Sequence, residues 1–191
     1  TDRGYVVDEV ALKATAVNGT PSPNPRGTTT YSGTTVGGPE WDRPYADFSG
    51  ISGLGPVRYH QQLFYVDLDG AYDLSSVQTG GWDGYLLLYV DSFDPLDQLV
   101  NGVAGDDDGA GGIGTSEIVG APLLSGHQYF LITTGFANGD EGPFDNEISG
   151  PGNIFLGPIS GVQGDLGITM DAPIGIAFPG AFTFELDVTN A

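Results

Sequence analysis

The 191 residues include no cysteine. That excludes a disulfide framework, a thiol nucleophile and a Cys-ligated metal. Histidine is almost as scarce. His60 and His127 are the only two, and neither stands in a metal-ligand spacing such as H-E-x-x-H. No G-x-S-x-G nucleophile elbow occurs. With no catalytic motif present, the chain is not expected to be an enzyme. No apolar run reaches about 18 residues, the length a membrane-crossing helix needs, so membrane insertion is not expected. Positive charge is the most telling shortage. Arg3, Lys13, Arg26, Arg43 and Arg58 are the only basic residues, against 25 acidic ones, for a formal net charge of −20. From Tyr59 to Ala191 there are 19 acidic residues and no Lys or Arg. Such a stretch repels nucleic acid and anionic membranes, whose phosphates are held by Lys and Arg. It attracts cations, and it holds no salt bridges of its own.

What is present points to strands. Hydrophobic residues make up 39% and aromatics 11%, enough for a packed core despite the charge. The 32 Gly and 13 Pro favour short strands and tight turns over helices. The chain opens at Thr1 without Met or a visible secretion signal, as a processed exported product or a trimmed piece of a longer chain would.

Residues 5–17, "YVVDEVALKATAV", place Val6, Val10, Leu12, Ala14 and Ala16 on one parity, as a strand does; a short helix is the competing reading. Pro21, Pro23 and Pro25 follow and impose an extended, non-helical tether. Beyond it, strands are expected in "HQQLFYVDLDG", "GAYDLSSV", "GYLLLYVDSF", "SEIVGAPLL", "GHQYFLITTGF", "NIFLGPIS", "LGITM" and "AFTFELDV". The run "GYLLLYV" is apolar without alternation, as in a strand buried on both faces. Gly-rich turns about every ten residues read as an all-β sandwich of jelly-roll type. The expected division is an extension over 1–27 and a β-sandwich over 28–191.

From about Thr28 to Ile154 the chain resembles the bacterial pre-peptidase C-terminal (PPC) domain family. The matching pieces come in family order: "TYSGTTVGGPEWDRP", "YHQQLFYVDLDGAYDLSS", "WDGYLLLYVDSFDPLDQLVNGVAGDDDG" and "LLSGHQYFLITTGFANGDEGPFDNEISGPG". The resemblance implies a small, non-catalytic β-sandwich, usually appended to secreted hydrolases or surface proteins. Some such domains bind calcium, and some bind collagen or polysaccharide. Segments 1–27 and 155–191 lie outside it.

The stretch "VAGDDDGAGGIGTSE" places Asp106, Asp107 and Asp108 in a row between glycines. Adjacent carboxylates repel one another and raise each other's pKa unless a cation relieves them. Calcium takes six to eight oxygen ligands in irregular geometry, and flanking glycines let a loop fold around an ion. A calcium site is therefore expected here, with Asp83, Asp140 and Asp145 as companions and Glu141 nearby; the resemblance places Asp83 at the start of a neighbouring strand. The competing reading is a solvated acidic loop. Two further clusters, Asp67, Asp69 and Asp73, then Asp91, Asp94 and Asp97, read as turn chemistry. Among the aromatics, Trp41, Tyr45, Tyr85, Tyr89 and Phe93 are candidates for ligand contact. Tyr85 and Tyr89 read more simply as packing between sheets. Trp82, beside a Gly-Gly turn, is the expected ligand-stacking residue.

A strand-like segment, a Pro-rich tether and a complete domain form the layout needed to donate a strand to another subunit. Repeated head to tail, that contact builds an open filament. The expectation is a secreted or cell-surface protein of structural or adhesive type, calcium-stabilised, whose partners are copies of itself. The alternative is a calcium-dependent polysaccharide- or protein-binding module of a secreted hydrolase.

Overall fold

A computed structural model describes residues 27–159. The expectations for Val6, Val10, Leu12, Ala14 and Ala16, and for strands in "LGITM" and "AFTFELDV", lie outside the described residues. Ten strands follow in chain order: β1 (Gly27–Thr34), β2 (Glu40–Trp41), β3 (Val57–Val66), β4 (Gly70–Gln78), β5 (Gly84–Val90), β6 (Gly102–Asp106), β7 (Thr115–Leu123), β8 (Tyr129–Gly135), β9 (Pro143–Gly150) and β10 (Ile154–Leu156). One sheet has the order β1-β9-β4-β7; the other runs β10-β3-β8-β5-β6, with β2 also paired to β3. All named pairings are antiparallel. The all-β sandwich is thus the observed architecture.

Four strands depart from the sequence expectation. β1 falls in the stretch read partly as tether. β2, β6 and β9 lie in stretches where no strand was expected. β9, "PFDNEISG", buries Phe144, Asn146, Ile148 and Gly150 and exposes Pro143, Asp145 and Glu147. Its period of two is clean, but Pro, Asp, Asn and Gly are poor strand formers. Pairing with β1 and β4 on both sides overrides that preference.

The core has two layers. Between the sheets, Phe64, Val66, Leu86, Leu88 and Leu131 meet Tyr72, Leu74, Ile118, Leu123 and Ile148. On the other side of the six-stranded sheet, Trp41, Val57, Tyr59, Tyr85, Leu87, Tyr89 and Ile132 form a second cluster, with Ala46, Phe48 and Phe93 packed against it. Alternation along β5 explains the split. Leu86 and Leu88 point inward; Tyr85, Leu87 and Tyr89 point outward and are still buried. Tyr85 and Tyr89 therefore do not pack between the sheets as expected; they lie under a layer built from the β1–β3 and β5–β6 connections. Rings make that layer: Trp41–Phe93 centroids are 5.3 Å apart, Tyr89–Phe93 5.0 Å and Phe48–Tyr89 5.2 Å, within the range of favourable aromatic pairs. Gly105 on β6 permits the close approach, since a Cβ there would come within 3.0 Å of the Ala46 main chain.

Candidate functional site

At one end of the six-stranded sheet the outer layer stops and three carboxylates converge. Asp83 lies just before β5, and Asp107 and Asp108 lie just after β6. β5 and β6 are antiparallel neighbours with Leu86 opposite Asp106, so the residue before one strand and those after the other meet at the same end. One carboxylate oxygen from each of Asp83, Asp107 and Asp108 falls within 4.8 Å of the others. The approach is held by backbone. Phe136 N–H donates to the Asp83 carbonyl at 3.0 Å, and Gly109 N–H donates to the Thr115 carbonyl at 2.8 Å. The first ties β5 to the end of β8; the second folds the acidic loop back on β7.

The only cation of the neighbourhood among the described residues is Arg43, at 2% exposure. Its Nε and Nη2 both donate to the Phe136 carbonyl, at 2.9 and 2.7 Å, and Nη1 donates to the Pro44 carbonyl at 3.1 Å. The guanidinium carbon sits 3.9 Å over the Tyr85 ring, a cation–π geometry. Arg43 is spent on main chain and ring, yet its charge still acts on Asp107 and Asp83.

The carboxylates are short of partners. The buried Oδ1 atoms of Asp83 and Asp107 have no hydrogen-bond partner. Burial, then the charge of Asp108, then that of Asp83, push the Asp107 carboxyl up to about 6, against a small lowering by Arg43. Asp83 is raised for the same reasons, burial first, then Asp108 and Asp140. Three carboxylates against one guanidinium leave two negative charges, the amount one divalent cation neutralises. The group is hard oxygen, the donor type that suits calcium rather than a soft metal.

The other expected ligands are placed differently. Asp106 lies at the exposed rim, where its Oδ2 accepts the Glu117 N–H at 2.6 Å and ties the β6 edge to the β7 edge. Asp140 accepts the Ala137 N–H at 2.9 Å; its charge reaches Asp83, but it is outside the converging group. Asp145 is on β9 in the opposite sheet, accepting the Ser32 hydroxyl at 2.5 Å. A one-residue step along β6 sends Asp106 and Asp107 to opposite faces of the sheet, which separates them although they are adjacent in sequence. Arg43 was missed by the sequence reading because it lies 64 positions before Asp107 and only the fold brings them together.

Trp82 is not available for stacking. It is 8% exposed, its indole N–H donates to the Pro143 carbonyl at 2.8 Å, and its ring lies against Gly142, where any Cβ would collide with it. Of the remaining acidic clusters, Asp94 makes the local turn bond expected, while Asp67, Asp69 and Asp73 hold main-chain groups distant in sequence. Asp67 accepts the Asn153 N–H, Asp69 the Ser125 N–H, Asp73 the Gly120 N–H and Asp94 the Leu96 N–H. The basic-free stretch does gain a salt bridge from outside itself: Arg58 pairs with Glu141 at 2.8 Å and with Glu40 at 3.1 Å. The two histidines stand apart. His60 is half-buried against Tyr31 and Phe144, while His127 is exposed beside Asp91 at 2.9 Å.

Comparison of the chain with protein-family models gives no match, and comparison with curated proteins gives none either.

Proposed function

We propose that the chain is a non-catalytic structural protein of the cell exterior, a β-sandwich locked by one calcium ion at Asp83, Asp107 and Asp108, whose copies assemble with one another. One observation carries the metal half of this reading: three carboxylates converge at the end of β5 and β6 with the Asp83 and Asp107 Oδ1 atoms buried and unpartnered. Leaving such groups unsatisfied costs about 1–3 kcal/mol each, and more when they are charged. A divalent cation removes that cost and the mutual repulsion together. Main-chain carbonyls and water complete the coordination that three side chains leave open. The ion then staples β5 and β6 to the acidic loop.

The structural role draws on the same features. Most acidic side chains at turns are engaged in capping main-chain N–H groups, and the resemblance to PPC domains is to modules without chemistry of their own. The alternative, a polysaccharide- or protein-binding module, loses Trp82 as its stacking residue, since that ring is buried and already hydrogen-bonded.

The test is thermal unfolding with calcium or with EDTA at fixed ionic strength. A ligand that binds only the folded state at one hundred times its Kd stabilises by about 2.7 kcal/mol. Asp108→Asn should remove most of that response. Identical melting curves in calcium and EDTA would sink the metal half of the reading.

A further inference from the structure

We infer that the free edge of β1 is the acceptor site for residues 5–17 of a second copy of this chain. This deepens the assembly half of the reading above and does not depend on the metal.

Among the described residues, five strands end a sheet, and four are protected. β2 has two residues, β10 has three and β6 has five. β7 carries Pro122, a left-handed Gly120 and a register shift against β4, and Asp106 already occupies the Glu117 N–H. Short length, proline, bulges and charge are the devices that keep an edge from pairing. β1 has none of them. Its eight residues, GTTTYSGT, hold no proline and no charge, and they pair with β9 without a shift from Gly27 to Thr34.

The register also shows which groups are on offer. Thr35 N–H donates to the Gly142 carbonyl, which continues the β1–β9 ladder at an odd-numbered residue. By alternation Tyr31 and Gly33 also bond to β9. Thr28, Thr30, Ser32 and Thr34 then turn their N–H and C=O groups away from it. Those four are also the exposed residues of the strand. On the inner side, Tyr31 is only partly buried against the main core. Leu156 pairs with core-facing Phe64 and so shares its face, yet stands 40% exposed. Thr29 donates its hydroxyl to the Ile154 carbonyl, which places that open inner margin beside β1. A strand added at β1 with an apolar inner face covers it.

Charge selects the occupant. Residues 27–159 hold 18 acidic and two basic side chains, so two such bodies repel. Residues 1–26 hold three of each: Arg3, Lys13 and Arg26 against Asp2, Asp8 and Glu9. Residues 160–191, by contrast, hold four acidic and no basic side chains, and in residues 5–17 Val6, Val10, Leu12, Ala14 and Ala16 share one parity that is apolar but for Asp8. The spacing selects a second copy over the parent chain. Nine residues, 18–26, separate the segment from β1, and Pro21, Pro23 and Pro25 favour extension to about 28 Å at ~3.1 Å per residue. That bias favours a neighbouring copy over a tight fold-back onto the parent β1.

The experiment uses the full chain. Thr30→Pro removes one outward N–H and leaves the β9 ladder intact, a placement that edge strands tolerate. Wild type should sediment as filaments visible by negative-stain electron microscopy; Thr30→Pro should cut the sedimented fraction about tenfold or more, since blocked edge hydrogen bonds break strand addition. The cysteine-free background supplies a second measurement, for the case where the proline variant melts early. Separate Val10→Cys and Thr30→Cys chains, mixed and oxidised, should give a disulfide-linked heterodimer. Unaltered filaments from a folded Thr30→Pro chain would overturn the β1 site while leaving assembly standing. Wild type that stays monodisperse would overturn both, as would a Val10→Cys/Thr30→Cys double variant that closes only on itself. Oxidised mixtures holding only the two homodimers would also overturn the site.

Discussion

At the scale of single residues, three consecutive aspartates take three different environments. Asp106 holds the Glu117 N–H at the exposed rim, Asp107 meets Asp83 within the field of Arg43, and Asp108 completes the converging group from an exposed position. Their substitutions should separate accordingly. Asp106→Ala should lower stability by about 1–2 kcal/mol through the lost hydrogen bond and leave the calcium response in place. Asp107→Asn and Asp108→Asn should blunt that response. Acidity gives an independent check. The ordinary carboxyl value is 3.8, and Asp107 in the folded chain is pushed up to about 6. Between those values the unfolded chain releases its proton while the folded chain keeps it. The contribution of Asp107 to the stability of the metal-free protein therefore falls as pH rises from about 4 to about 6, and the penalty persists above that. In EDTA, Asp107→Asn should melt above wild type at pH 7.5, and the gap should close below about pH 4. A wild-type advantage at pH 7.5 in EDTA would contradict the assigned environment.

At the scale of elements, β5 is the strand on which both core layers depend. "GYLLLYV" was legible as a doubly buried strand because it is apolar without alternation. What covers its outer face was not, because that layer consists of connections, Arg43 to Phe48 and Phe93 among them, with no periodicity to announce it. Leu86→Ala and Leu87→Ala face opposite sides of one sheet, and each should cost about 2–5 kcal/mol in chemical denaturation. A Leu87→Ala cost within experimental error of zero would mean that the outer layer is a loose cover and not a core. β9 shows the reverse case. Its alternation was present in the sequence but masked by Pro143, Asp145, Asn146 and Gly150. Asn146 then sits deep in the sandwich because its amide donates to the Tyr31 hydroxyl and to Thr133 Oγ1, both at 2.8 Å.

At the scale of the whole molecule, a formal charge of −20 opposes the compact state. Monovalent salt screens it with a Debye length of about 10 Å at 0.1 M, so the melting temperature should rise as sodium chloride is added from low ionic strength. Calcium should add a further increase at matched ionic strength. If calcium and ionic-strength-matched sodium raised the melting temperature equally, the gain would be screening alone. The same charge imbalance makes the neutral first 26 residues the natural point of contact between copies.

Composition and periodicity by themselves determined the sandwich, the doubly buried β5, the turn role of Asp94, and the region where carboxylates crowd. These follow from local rules: alternation, turn chemistry and the lack of cysteine and of basic residues. Only the tertiary structure decided which carboxylates meet, that Arg43 lies beneath them, that Trp82 is covered, and that β1 is the long unprotected edge. Each of those depends on strand pairing between residues far apart in the chain, where a shift of one position sends a side chain to the opposite face.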